Sequence, residues 1–113
     1  MEDLEIATRY VRKAESSRDR GIPFLLSFTS YKNLMRAKRC YYSGIKLTQK
    51  PIGEKGIRQT DRTLDRIDNS KGYEKGNVVA CCHSVNKFKS YWEADNNIIT
   101  TSIARKILAK LPE

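Results

Sequence analysis

The segment from Arg62 to Ala94 constrains the fold more than any other part of this chain. It reads R-T-L-D-R-I, then D-N-S-K-G-Y-E-K-G-N, then V-V-A-C-C, then H-S-V-N-K-F-K-S-Y-W-E-A. Residues 62–67 are strand-like, 68–77 have the composition of a long turn, and 78–82 form a second, apolar strand. Residues 83–94 have helical spacing, with Val85, Phe88 and Trp92 close to one face. A hairpin leading straight into a helix places Asp65, near the end of the first strand, and Asn86, one turn into the helix, where both can point at one divalent ion. Hard oxygen ligands of this kind suit Mg²⁺ or Mn²⁺. Such an ion can hold a scissile phosphate, and a base beside it must then activate water.

The flanking segments read more simply. A helix is expected over 3–18, with Leu4, Ala7, Tyr10, Val11 and Ala14 on one face and Gly21 as its C-cap. Residues 22–28 (I-P-F-L-L-S-F) read as extended. A second helix is expected over 30–38, capped by Thr29 or Ser30, with Leu34 and Met35 inward. Cys40 to Gly44 form a tight turn, 48–60 an exposed basic loop, and 101–111 a last helix that exposes Arg105, Lys106 and Lys110. The 113 residues make one α+β domain. It divides into an N-terminal helical region (1–39), a core (40–94) and a C-terminal helix (95–113).

Lys and Arg number 22 against 13 acids, a net charge of +9 spread along the chain. Polyanions, and phosphate backbones first among them, are the partners such a charge attracts. Arg58 and Arg62 at the basic loop, Lys71 in the turn, and Lys87 and Lys89 beyond Asn86 are candidate phosphate contacts. Lysines on an exposed helix face are also ordinary. No residue pattern reads base sequence, so affinity is expected to rest on phosphates and to fall with salt. No run reaches the roughly 20 apolar residues of a membrane span. The acidic N-terminus is unlike a secretory signal, and three cysteines, two of them adjacent, make no disulfide framework. An intracellular protein is therefore expected, with DNA as its foremost partner.

The ordered set D-R-I-D, K-G-Y, G-N-V and V-N-K-x-K resembles the HNH endonuclease superfamily. The nearest branches are small phage-type proteins with an L-D-R-I-D…G-Y…G-N-V motif and the recombination endonuclease VII type, and the resemblance covers residues 40–90. It implies a small ββα-metal (HNH/His-Me finger) core with flanking N- and C-terminal helices. It also implies a metal-dependent DNA endonuclease of a phage or mobile element, working in the host cytoplasm if phage-encoded. Asp65 is then the metal carboxylate and Asn86 the second metal ligand. Asn77 is the middle Asn, tying the loop and orienting the catalytic strand.

Two departures qualify the activity. Family nucleases usually have His where this chain has Arg66, and that His is the general base. Arginine stays protonated and cannot take a proton from water, although it can hold a phosphate bidentately. His83, the only histidine, is the candidate substitute base; otherwise attack proceeds without a protein base, and His83 caps the helix or sits on the surface. The second departure concerns zinc. Endonuclease VII-like members hold a structural Zn²⁺ with two Cys-x-x-Cys pairs, and here these read Cys40-Tyr-Tyr-Ser43 and Cys82-His-Ser-Val85. Two thiolates fall short of four ligands, so no structural Zn²⁺ is expected and Cys40 and Cys82 should pack as small apolar residues. Asp68 reads as a turn former or a further acid, and Tyr42 and Trp92 as packing or base-stacking residues. Two functions stay open: a Mg²⁺- or Mn²⁺-dependent endonuclease, and a degenerate HNH-fold protein that binds DNA or RNA or docks on a nucleic-acid machine such as a polymerase. A monomer would nick, and a homodimer would cut both strands.

Overall fold

The computed structural model describes residues 1–113. The protein is a small α+β fold of four helices and one two-stranded antiparallel sheet. The elements are α1 (Asp3–Asp19), α2 (Phe28–Arg36), β1 (Arg62–Arg66), β2 (Val78–Cys82), α3 (His83–Trp92) and α4 (Thr101–Lys110).

Helix α1 carries Asp3 and Glu5 in its first turn and Arg18 in its last, the charge order that favours the helix dipole. It ends in a Schellman turn. Gly21 takes φ 69°, its N–H donates to Arg18 O, and the Ile22 N–H donates to Ser17 O. The buried face differs from the expected one. Ile6 and Ser17 are fully buried and Tyr10 packs on the core, whereas Leu4 is 79% and Val11 52% exposed. Ile6, Tyr10 and Ser17 are spaced by four and seven residues, a continuous stripe at 3.6 residues per turn. Leu4 and Val11 are apolar but lie off that stripe.

Helix α2 starts two residues before the expected boundary, because Ser27 is its N-cap; the Ser27 hydroxyl accepts the Ser30 N–H at 3.1 Å. Tyr31 and Met35 face inward. At the other end, the Arg62 guanidinium donates to the Leu34 and Ala37 carbonyls, so a strand residue closes the helix C-terminus.

The hairpin pairs Arg62 with Cys82, Leu64 with Ala80 and Arg66 with Val78. Alternation sends Leu64 into a core of Ile6, Leu26, Tyr31, Met35, Tyr73 and Val78. Fully burying an aliphatic side chain of this size contributes about 1.5–3 kcal/mol. Further along the hairpin, Cys40, Leu47, Ala80, Cys81 and Cys82 form a second buried cluster.

The extended segment 22–26 docks on the hairpin loop. Phe24 bridges to Tyr73, with the Tyr73 N–H on Pro23 O at 2.9 Å and the Leu25 N–H on Tyr73 O at 2.8 Å. This contact explains the glycine of the K-G-Y motif. A Cβ on Gly72 would stand 2.5 Å from the Pro23 carbonyl oxygen. Helix α4 is capped by the Thr100 hydroxyl, yet Ile103, Ile107 and Leu108 stay 40–68% exposed. No helix is long and apolar enough to cross a membrane.

Candidate functional site

Helix α3 follows β2 without a linker, so its first turns lie across the hairpin. It buries no residue fully, and Phe88, expected inward, is 63% exposed and stacks on Trp92. Val85 packs against the second buried cluster, and the contacts further along the helix are polar. Asn86 Nδ2 donates to Thr63 Oγ1 at 3.3 Å, and Lys89 Nζ lies 3.1 Å from Asp65 Oδ2. Thr63 and Asp65 are two residues apart on β1 and share the face that meets α3.

A polar cleft of about 360 Å³ opens there. Its walls include Thr63, Asp65 and Arg66 from β1, Asn86 of α3 with Glu93 at that helix's C-cap, and Lys13 of α1 with Arg20 at its C-cap. Asp65 and Asn86 thus line the same cleft. The Asp65 carboxylate is only 8% exposed. Its Oδ2 accepts the Tyr42 hydroxyl at 2.6 Å as well as the Lys89 ammonium. Lys89 also pairs closely with Glu93, so one ammonium bridges the two carboxylates of the cleft. Burial works against the charged form of Lys89, but its bonds to Glu93 and Asp65 outweigh that and hold its pKa above the usual lysine value. Burial, then the Asp65 hydrogen bond and charge, push the Tyr42 phenol up, so it stays a donor.

The loop that carries the site is braced from within. Asn77 is buried; its Oδ1 accepts the Asp68 N–H at 2.9 Å, and its Nδ2 donates to the Asp68 and Gly72 carbonyls at 3.1 and 3.0 Å. Arg66 donates to Asn69 O and Lys71 O at 3.0 and 2.9 Å and lies over the Tyr73 ring at 5.4 Å. Asp68 forms an Asx turn, its Oδ1 accepting the Ser70 N–H and hydroxyl.

The remaining candidates lie elsewhere. His83 is not in this cleft; it lines a neighbouring one of about 560 Å³, and its backbone N–H donates to Asp61 O. Arg62 is held by the α2 carbonyls and Gln49, and Arg58 by Asp61 at 3.0 Å, so neither guanidinium is an unengaged phosphate ligand. Lys71 and Lys87 are exposed. Cys40 and Cys82 are buried with Cys81, and all three thiols are free. Burial opposes the Cys40 thiolate, but hydrogen bonds from the Ser43 side chain and the Cys82, Ser43 and Tyr42 backbone overcome it and bring this thiol down to about 7.

As a metal centre, the donor set is sparse. No three His, Cys, Asp or Glu side chains are arranged to hold one metal ion. One carboxylate and one amide oxygen suit an Mg²⁺ that keeps much of its water shell and takes further oxygens from a phosphate. They do not make a closed four-ligand zinc site.

Tyr42, Glu93, Lys13 and Arg20 escaped sequence reasoning as members of the site. The α1 residues come from a helix remote in sequence, and no local pattern points to the approach. The spacing of Asn86, Lys89 and Glu93, one helical face at three and four residues, was the readable signal for Glu93.

No protein-family profile matches the chain. Over 86 residues it is 36% identical to the "uncharacterized 29.0 kDa protein in dda-modA intergenic region" of Enterobacteria phage T4, an alignment covering 76% of this chain and 32% of that protein. The chain therefore spans about a third of the length of the curated relative it matches. No solved structure matches it.

Proposed function

We propose that the protein is a phage-type member of the HNH nuclease fold that binds DNA along its phosphate backbone and cleaves it with the help of a divalent ion. The observation that carries this reading is the cleft in which Asp65 and Asn86, on hairpin and helix, face Lys13 and Arg20 of α1. The Asp65 carboxylate and the Asn86 amide oxygen are the residues that would hold Mg²⁺ or Mn²⁺. Bound there, the ion would neutralise charge building on the scissile phosphate. Lys13 and Arg20 hold the phosphate from the opposite wall. Arg66 is no base, being permanently protonated, and its guanidinium is engaged by loop carbonyls. Glu93 is the second carboxylate of the cleft and accepts the proton from the attacking water, while Lys89 holds it in place.

Incubation with supercoiled plasmid and Mg²⁺ or Mn²⁺ tests this reading. Nicking is expected from the wild type and is lost in Asp65→Ala; Glu93→Gln should slow it about 100-fold or more, the usual contribution of a positioned base. Linear product without a nicked intermediate would indicate a homodimer. Nicking that persists in Asp65→Ala would come from a contaminant and would sink the assignment.

A second reading has its own support. The Lys89 ammonium sits on Asp65 where a metal would bind, and no imidazole lines the cleft. On that reading the fold grips DNA or RNA, or docks on a nucleic-acid machine such as a polymerase, without cutting. Salt-sensitive gel retardation with no nicking in either metal would select it.

A further inference from the structure

The cleft that holds His83 is separate from the Asp65 cleft but adjoins it. Both are walled by Lys13 of α1 and by Thr63 and Leu64 of β1, so the two meet across the strand. The larger one runs between α1 and the 49–57 loop. Arg9, Arg12, Lys13 and Ser16 line it at helical spacing, and Arg20 continues the same side of α1 into the Asp65 cleft.

Its charges divide into two groups. Arg62, Lys50 and Arg9 are engaged by backbone carbonyls, Arg9 also by Glu5. Of the two acids in the wall, Asp61 is paired with Arg58, and Glu54 makes no salt bridge but is outnumbered by the cations. Arg12, Lys13 and His83 have no carboxylate partner; Lys13 lies against Tyr73, its ammonium 4.5 Å from the ring centroid. The wall also contains a buried side-chain nitrogen without any hydrogen-bond acceptor, Arg9 Nε. Unpaired cations and an imidazole around a concave surface, with an uncompensated buried donor behind them, make a field that an anion would relieve.

We infer, on the nucleic-acid reading above, that this cleft is a second phosphate-binding subsite, in which Arg12, Lys13 and His83 hold the strand next to the phosphate at Asp65. Lys13 stands at the junction and serves both subsites. The backbone therefore crosses β1 beneath α1, and α1 acts as the rail that fixes its direction. The assignment also gives His83 a role as a phosphate contact and not as a base.

Fluorescence anisotropy with a labelled duplex oligonucleotide, in EDTA so that no strand is cut, tests this over a range of KCl concentrations. Each phosphate contact contributes about 0.9 to the slope of log K against log salt. The Arg12→Gln/Lys13→Gln variant should bind about tenfold or more weakly at low salt, with a slope shallower by up to about 1.8. Lys106→Gln/Lys110→Gln removes the same charge from α4 and should leave the slope unchanged. Arg12→Gln alone, at an exposed residue with no side-chain bond to break, should give half of the effect with an unaltered melting temperature. An Arg12→Gln variant that binds like the wild type would overturn the subsite and leave the nucleic-acid reading standing, since Arg12 lines only the second cleft. Equal losses in the two double variants would overturn it as well, by exposing a general charge effect. A wild type with no salt-dependent binding would remove the nucleic-acid reading itself.

Discussion

At the scale of single residues, Lys89 has the most unusual position, because its ammonium sits on Asp65 Oδ2. On the proposed metal reading, the two cations would compete for that oxygen. Lys89→Met should therefore tighten Mn²⁺ binding, measured by calorimetry, about fivefold, the equivalent of an ion pair of about 1 kcal/mol. Unchanged affinity would show that the metal does not use Asp65 Oδ2. Asp61 makes a different prediction. Its carboxylate accepts the Arg58 N–H, which together with Thr48 and the Arg58 side chain outweighs burial and holds its pKa below 3.8. A depressed carboxylate stabilises the fold above its unfolded pKa, and that contribution is lost as pH falls through the lowered folded value. The wild-type melting temperature should thus drop on acidification below 3.8. Asp61→Asn should start lower at neutral pH and show a shallower acid limb.

Among the elements, the hairpin loop is held from three sides. Asn77 ties it from inside, Arg66 from the strand, and residues 23–25 from the N-terminal side. Gly72→Ala should cost about 1–3 kcal/mol in chemical denaturation, since its Cβ meets a backbone oxygen and not a mobile side chain. A neutral result would mean that segment 22–26 can move away without loss. The types and order of the elements were legible in the sequence, because turn composition and apolar periodicity report them directly. The faces were less so. Leu4 and Val11 suggested a seam that Ile6, Tyr10 and Ser17 form instead, and α3 presents Asn86, Lys89 and Glu93 to the hairpin where periodicity favoured Phe88. Hydrophobic spacing locates an apolar core, and a helix whose inward face is polar leaves no trace in it. Asp65 and Asn86 were readable from motif order; Tyr42, Lys13 and Arg20 reach the cleft only through tertiary packing.

For the whole molecule, the contrast lies between a braced centre and a loosely attached end. Helix α4 makes its own cap but contributes no residue to either buried cluster. Deleting residues 101–113 should shift the midpoint of thermal unfolding by no more than a few degrees, since little buried surface is lost. A loss of cooperative unfolding would instead show that the helix holds the fold together.

The strand-like bridge between Phe24 and Tyr73 has a consequence for how the chain is made. Synthesis delivers α1, α2 and the 22–26 segment first, yet their docking partner is the loop around Tyr73, which leaves the ribosome much later. Ile6, Leu26, Tyr31 and Met35 can meet once α1 and α2 are made, but Leu64, Tyr73 and Val78 close the cluster only when the hairpin emerges. A ribosome stalled before Tyr73 would therefore carry a nascent chain with an unfinished core, open to proteases.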